Sequence, residues 1–223
     1  MRLELGIPVR CSDGVFGELA DVVIDPTNKH VTHLVVQPHH QHGLARLVPV
    51  GLAEAEAAGD EPSALALRCT VEEVRRLAPV EKFAYLRLGE FPANDPNWDV
   101  GVQDVLAMPY YGAQGPGLGG GYADEYNTDV GIRYDRVPKG EVEIRRTSAV
   151  TSAEGHHLGH VDGLLVDDED LITHLVLEHG HLWGRREVTI PIGAVARVET
   201  DEVTLSLSRD EVAALEPVPV HRW

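Results

Sequence analysis

The sequence predicts an all-β protein made of two tandem small β-barrels that pair as a pseudo-dimer, and two observations carry that reading. The first is an internal duplication: Val31 to Val36 reads VTHLVV, and Ile172 to Leu177 reads ITHLVL. The second is the texture of each copy, in which short Val, Leu and Ile segments are punctuated by Gly, Asp and Pro, the pattern of strands joined by tight turns.

Aligning the two phrases brings Gly17 onto Gly159, Asp25 onto Asp167, Gly43 onto Gly184 and Pro49 onto Pro191. Single-residue gaps fall in turn-rich stretches, where insertions are tolerated. Further on, TVEEVRRLAP matches SRDEVAALEP, so a whole unit is present twice. The chain therefore divides into repeat 1 (1–80), a central divergent linker or strap (81–140) and repeat 2 (141–223).

Repeat 1 reads as strands near 6–11, 18–25, 31–37, 45–50 and 64–69, with a short closing helix over 71–78. Repeat 2 reads as strands near 147–152, 158–166, 171–178, 186–192, 195–199 and 203–208, then a helix over 209–215 with Ser208 as its N-cap. In the central segment, GAQGPGLGGGYADEYNTDVG is rich in Gly and Tyr and is expected to be irregular. Its other half carries Trp98, Val105, Leu106, Met108, Tyr110 and Tyr111, which suit an apolar strap across a barrel.

Along VTHLVV, Val31, His33 and Val35 point one way and Thr32, Leu34 and Val36 the other, because side chains alternate on a strand. Both faces are largely apolar, so the outer one needs a cover. The other repeat supplies it, and this intramolecular pairing is the reason for writing the phrase twice. Whether the same face also pairs between chains, as a homo-oligomer, stays open at this point.

Composition narrows the function. The formal charge is −17, and residues 141–223 hold 16 acidic against 7 basic groups. Such a chain is repelled by phosphate backbones and anionic lipid, so no direct nucleic-acid partner is expected. No apolar run reaches membrane-spanning length and the start lacks the apolar centre of a secretion signal, so no membrane span and a cytoplasmic location are expected. Cys11 and Cys69 lack CxxC spacing, and Cys69 aligns with the apolar strand position Leu207, so it reads as a buried thiol.

Each unit resembles the PRC-barrel family, named after the photosynthetic reaction centre. The residues that carry the resemblance are SDGVFGELADVVIDPTNKHVTHLVV...RLVPV and AEGHHLGHVDGLLVDDEDLITHLVL...REVTIPIGAV. The resemblance implies a small six-stranded barrel, used in bacterial proteins as a binding or assembly module, with relatives in the reaction-centre H subunit and a ribosome-maturation factor. It implies no catalytic constellation.

The candidate chemistry is sparse. His39, His40 and His42, with His156, His157, His160, His179 and His181, invite a metal reading, but these stretches look like hairpin loops whose side chains diverge, so no metal ligand is assigned. His33 and His174 lie inside the repeated strands and read as hydrogen-bonded structural residues. Asp167, Asp168, Glu169 and Asp170 lack EF-hand spacing and read as a solvated turn. GLGGG opens no helix, and no GxSxG, HExxH or phosphate loop occurs. No catalytic residue and no cofactor is therefore expected. The most suggestive stretch is GHLWGRRE, where Trp183 with Arg185 and Arg186 joins an aromatic anchor to planar cations, the residue types of interaction hot spots.

The expected function is a non-enzymatic protein-binding or scaffolding module. The alternatives are a metal or small-ligand binder using the histidine-rich loops, and a hydrolase with a site assembled from scattered Asp, Glu and His.

Overall fold

The computed structural model describes residues 1–39, 44–54, 64–87, 97–107, 129–179, 186–199, 201–215 and 217–218. Strands predominate among the described residues, which establishes the all-β class. Met1–Val80 and Gly140–Trp223 form one compact unit, and Glu81–Lys139 forms a second.

In the first repeat, β1 (Arg2–Glu4), β2 (Pro8–Cys11), β3 (Gly14–Asp25), β4 (His30–Pro38), β5 (Arg46–Pro49), β6 (Ala53–Glu54) and β7 (Leu65–Leu67) precede helix α1 (Val71–Arg76). The second unit holds β8 (Glu81–Arg87), β9 (Trp98–Ala107) and β10 (Asp129–Pro138). The second repeat follows with β11 (Val142–Arg145), β12 (Ala149–Thr151), β13 (His157–Val166), β14 (Ile172–His179), β15 (Arg186–Pro191), β16 (Val195–Glu199) and β17 (Glu202–Leu205). Helix α2 (Arg209–Ala213) and β18 (Pro217–Val218) end the described chain.

Local chemistry explains the turns that set the strands apart. The Asp25 carboxylate accepts the Thr27 amide at 2.8 Å, and the Asn28 side chain accepts the His30 amide at 3.0 Å, closing the β3–β4 connection. In the second repeat, one Asp167 oxygen accepts the amides of Glu169 (2.9 Å) and Leu171 (3.0 Å). The acidic run is thus an Asx-type turn in which Asp167 organises the backbone. Gly17 and Gly159, aligned by the duplication, share a cause. A Cβ on either would overlap a carbonyl oxygen of the next strand, Gln37 or Glu178.

Both helices begin in capping boxes. The Thr70 and Ser208 hydroxyls each accept an amide three residues on, from Glu73 and Glu211, and those carboxylates bond back to the cap amides. Ser208 is the N-cap that the sequence indicates.

The first repeat forms a seven-stranded sheet in the order β5-β4-β3-β2-β7-β6, with β11 added to β3. The second forms an eight-stranded sheet in the order β16-β17-β12-β13-β14-β15-β18, with β1 added to β13. Neither order returns to its first strand among the described residues, so the two closed six-stranded barrels are not what these ladders show. The physical reason is that each repeat borrows a strand. The long β3 and β13 pair with β2 and β12 along their first halves, and their second halves are completed by β11 and β1 from the opposite repeat.

One hydrophobic core runs through both repeats. Leu19, Leu34, Val36 and Val48 enter it from the first, and Leu164, Leu175, Leu177 and Ile190 from the second, each at most 1% exposed. Burying a side chain of this size contributes about 1.5–3 kcal/mol, so these residues dominate the stability of the pair.

The unit Glu81–Lys139 is a three-stranded antiparallel sheet in the order β8-β10-β9. The segment expected as a strap forms this sheet, and the stretch expected to be irregular enters β10 from Asp129. Met108, Tyr110, Tyr111 and the Gly-rich part of that stretch lie outside the described residues.

Candidate functional site

The duplicated phrases begin side by side. Val31 donates its amide to the Asp170 carbonyl at 3.0 Å, and Ile172 donates to the Lys29 carbonyl at 2.9 Å, around a bridge between His30 and Leu171. Both carbonyl owners are left-handed, Lys29 at φ 63° and Asp170 at φ 61°. The two bonds exchange when the repeats are exchanged, which places a local pseudo-twofold axis between them.

On the strands leaving this axis stand the two histidines singled out by sequence. His33 Nδ1 lies 3.1 Å from Thr32 Oγ1, and His174 Nδ1 lies 3.1 Å from Thr173 Oγ1. Each threonine hydroxyl also reaches a carbonyl on the neighbouring strand, Val23 (3.2 Å) or Leu165 (3.1 Å). The first copy has a further group. Glu141, just before β11, accepts from Thr32 at 2.5 Å and stands 3.5 Å from His33 Nδ1. Thr32 and Glu141 meet the same imidazole nitrogen, whereas a catalytic triad needs base and acid on opposite nitrogens. The cluster ties β4 to the residue that leads into β11.

The borrowed strands bring charge into the interior. On β11, Glu143 is fully buried and its Oε2 accepts Nε (3.1 Å) and Nη2 (2.8 Å) of Arg145. On β1, Arg2 Nη2 reaches the nearly buried Glu187 of β15 at 2.8 Å, with Glu4 at 3.6 Å from its Nε. Removing Arg2 would strand the Glu187 carboxylate, at a cost on the order of 3–5 kcal/mol. The sequence reading passed over these residues. Their signal is faint but present, since the aligned strands read RLE and EIR, with charges in opposite order.

The histidine-rich stretches come together only in part. His157 and His160 meet edge to face with ring centroids 5.0 Å apart, and His160 Nδ1 lies 3.2 Å from the Thr147 carbonyl. Among the described residues no three His, Cys, Asp or Glu groups converge as a metal site needs. His40, His42 and His181 lie outside the described residues, as does the side chain of His179.

Cys11 and Cys69 are both buried and free. Burial, with Cys69 and Asp13 nearby, pushes the Cys11 thiol up to about 11. Burial raises Cys69 as well, with the Glu73 carboxylate adding to it. Both thiols stay protonated at neutral pH, the state of a small packing side chain.

Of the candidate interaction residues, Trp183 and Arg185 lie outside the described residues, and Arg186 opens β15 opposite His179 with its side chain likewise outside. The described aromatic and cation pair is elsewhere, where the Arg136 guanidinium stacks over Trp98 at 4.3 Å from the ring centroid. Among the described residues no helix is long and apolar enough to cross a membrane.

Residues 144–213 match the model of a family described as an uncharacterized protein conserved in bacteria (DUF2171). No PRC-barrel model matches, which corrects the resemblance read from the sequence. The residues that suggested it have general causes: glycines where backbones nearly touch, an Asp that organises a turn, and apolar runs on buried strands. Any tight antiparallel meander needs these. No curated protein matches the chain.

Proposed function

We propose that this protein is a non-enzymatic binding or scaffolding module, in which two barrel-like repeats clasp each other as a pseudo-dimer and present their outer surface to a protein partner. The observation that supports the reading is how the polar groups of the duplicated strands are used. Thr32, His33, Glu141, Arg2 and Glu187 are engaged with one another across the repeats or with their own backbone. Their hydrogen-bonding capacity goes into holding the chain together. Two separate stretches carry the residue types of interaction hot spots and are the candidates for partner contact: Trp98 with Arg136 in the inserted sheet, and, on sequence alone, Trp183, Arg185 and Arg186.

The test is capture from native lysate with crosslinking, followed by titration of the purified partner against wild type, Trp98→Ala/Arg136→Ala and Trp183→Ala/Arg185→Ala/Arg186→Ala. A protein held by wild type and weakened at least tenfold by one variant set supports the reading. Turnover of a small molecule that survives removal of the captured partner overturns it.

A further inference from the structure

We propose that β1 and β11 are charge-addressed docking strands, each fitting the sheet of the opposite repeat and not that of its own, so that unlike repeats pair and two like repeats do not. The inference does not depend on which partner the protein binds.

Register defines the equivalence. Arg2 lies opposite Leu165 and Glu143 opposite Val23, and these two residues face His174 and His33 in turn. Arg2 therefore occupies the place of Glu143, Leu3 that of Ile144, and Glu4 that of Arg145. The apolar centre is kept and the flanking charges are reversed.

The sheets they join are reversed to match. Arg145 lies opposite Asp21, whereas Glu4 lies opposite Gly163, the same place in the other ladder. Arg2 meets Glu187 at 2.8 Å. The first repeat has Ala45 at the corresponding place, just before Arg46 and its partner Val36, as Glu187 is just before Val188 and its partner Leu177.

Consider the wrong pairings. With β1 laid on β3, Glu4 would face Asp21, like charges directly opposed on a ladder, and Arg2 would meet Ala45 instead of a carboxylate. With β11 laid on β13, the buried Glu143 would meet the buried Glu187, and two desolvated carboxylates repel strongly. Each homotypic seam thus carries a repulsion that the observed seam lacks, which is how specificity between near-identical partners is built. Backbone pairing alone gives no such choice, because β1 and β11 add to β13 and β3 in equivalent antiparallel registers.

The experiment reverses each strand within the full chain while conserving net charge. Arg2→Glu/Glu4→Arg sets a carboxylate against Glu187, and adding Glu187→Arg restores the match. Glu143→Arg/Arg145→Glu sets a carboxylate against Asp21, and adding Asp21→Arg restores it. Each reversal is expected to lower Tm by about 5–10 °C. Hydrogen exchange over residues 2–5 or 142–145 should speed up at least tenfold in the affected strand, and sedimentation velocity should show new dimers. The compensated variants should recover all three readouts toward wild type. Strand-local exchange keeps the test readable if Glu187→Arg disturbs packing elsewhere. Reversed variants with wild-type exchange, compensation that restores neither reversed strand, or wild-type chains whose β1 crosslinks to β3 would each overturn the proposal.

Discussion

Val31 and Asp170 are joined by a backbone hydrogen bond of 3.0 Å whose counterpart, Ile172 to Lys29, measures 2.9 Å. The duplicated phrase is therefore more than a repeated strand. Its first residue is a contact point between the copies, and both acceptors are aimed by a left-handed residue. Neither acceptor is glycine, so each turn holds a conformation that ordinary side chains enter at a cost.

Lys29 makes that cost measurable. A β-branched residue is the least tolerant of positive φ, so Lys29→Val should destabilise the fold by about 1–2 kcal/mol, whereas Lys29→Asn should be nearly neutral. Urea unfolding of the two variants checks this. Equal losses would mean that the bond from Lys29 Nζ to the Val195 carbonyl, 3.2 Å long, matters more than the turn.

Gly163 governs how closely β1 approaches its borrowed sheet. A Cβ there would stand 2.5 Å from the Leu3 carbonyl oxygen and 3.1 Å from Glu4 Cα. Gly163→Ala should push β1 away and cost about 1–3 kcal/mol, as overpacking does. Gly193→Ala is the control, since a Cβ there meets nothing within 4 Å. Thermal melts of both should separate clearly.

These positions show what the sequence carried and what it did not. Strands such as β4 and β14 were legible because the same run of Val, Leu and Ile recurs in both copies and the turns announce themselves. The helix caps were legible because a capping box is local chemistry. By contrast, β1 and β11 span three and four residues, too short for periodicity, and become strands only because the opposite repeat offers an edge. Closed barrels were expected because each repeat was read as complete in itself. Glu141, Arg2 and Glu187 escaped notice for the same reason: their partners are more than 100 positions away in sequence.

The capping boxes predict an acid limb to stability. The bonds that Glu73 and Glu211 accept from the Thr70 and Ser208 amides and hydroxyls lower both carboxyl pKa values. A depressed folded pKa adds stability that is present above the unfolded value, near 4.5, and lost as pH falls through the folded one. Glu73→Gln/Glu211→Gln should therefore be less stable than wild type at pH 7 and converge with it at low pH. Thr70→Ala should cost about 1 kcal/mol at neutral pH. Denaturant midpoints measured at several pH values give the comparison, and a gap that stays constant down to strong acid would rule out this linkage.

The thiol of Cys11 predicts the opposite limb. Its folded pKa of about 11 lies above the ordinary value of 9.0, because burial and the neighbouring Cys69 and Asp13 disfavour the thiolate. A raised folded pKa gives stability that is full below the unfolded value and lost as pH rises through the folded one. Stability should therefore decline between pH 9 and about 11, and Cys11→Ala should flatten that decline while losing a little packing at pH 7. Native protein should also resist alkylation by iodoacetamide at pH 8, because the reagent needs an accessible thiolate. Mass spectrometry after timed exposure reads this directly. Rapid modification of Cys11 in folded protein, at a rate near that of the urea-unfolded chain, would show that the thiol is neither buried nor held protonated.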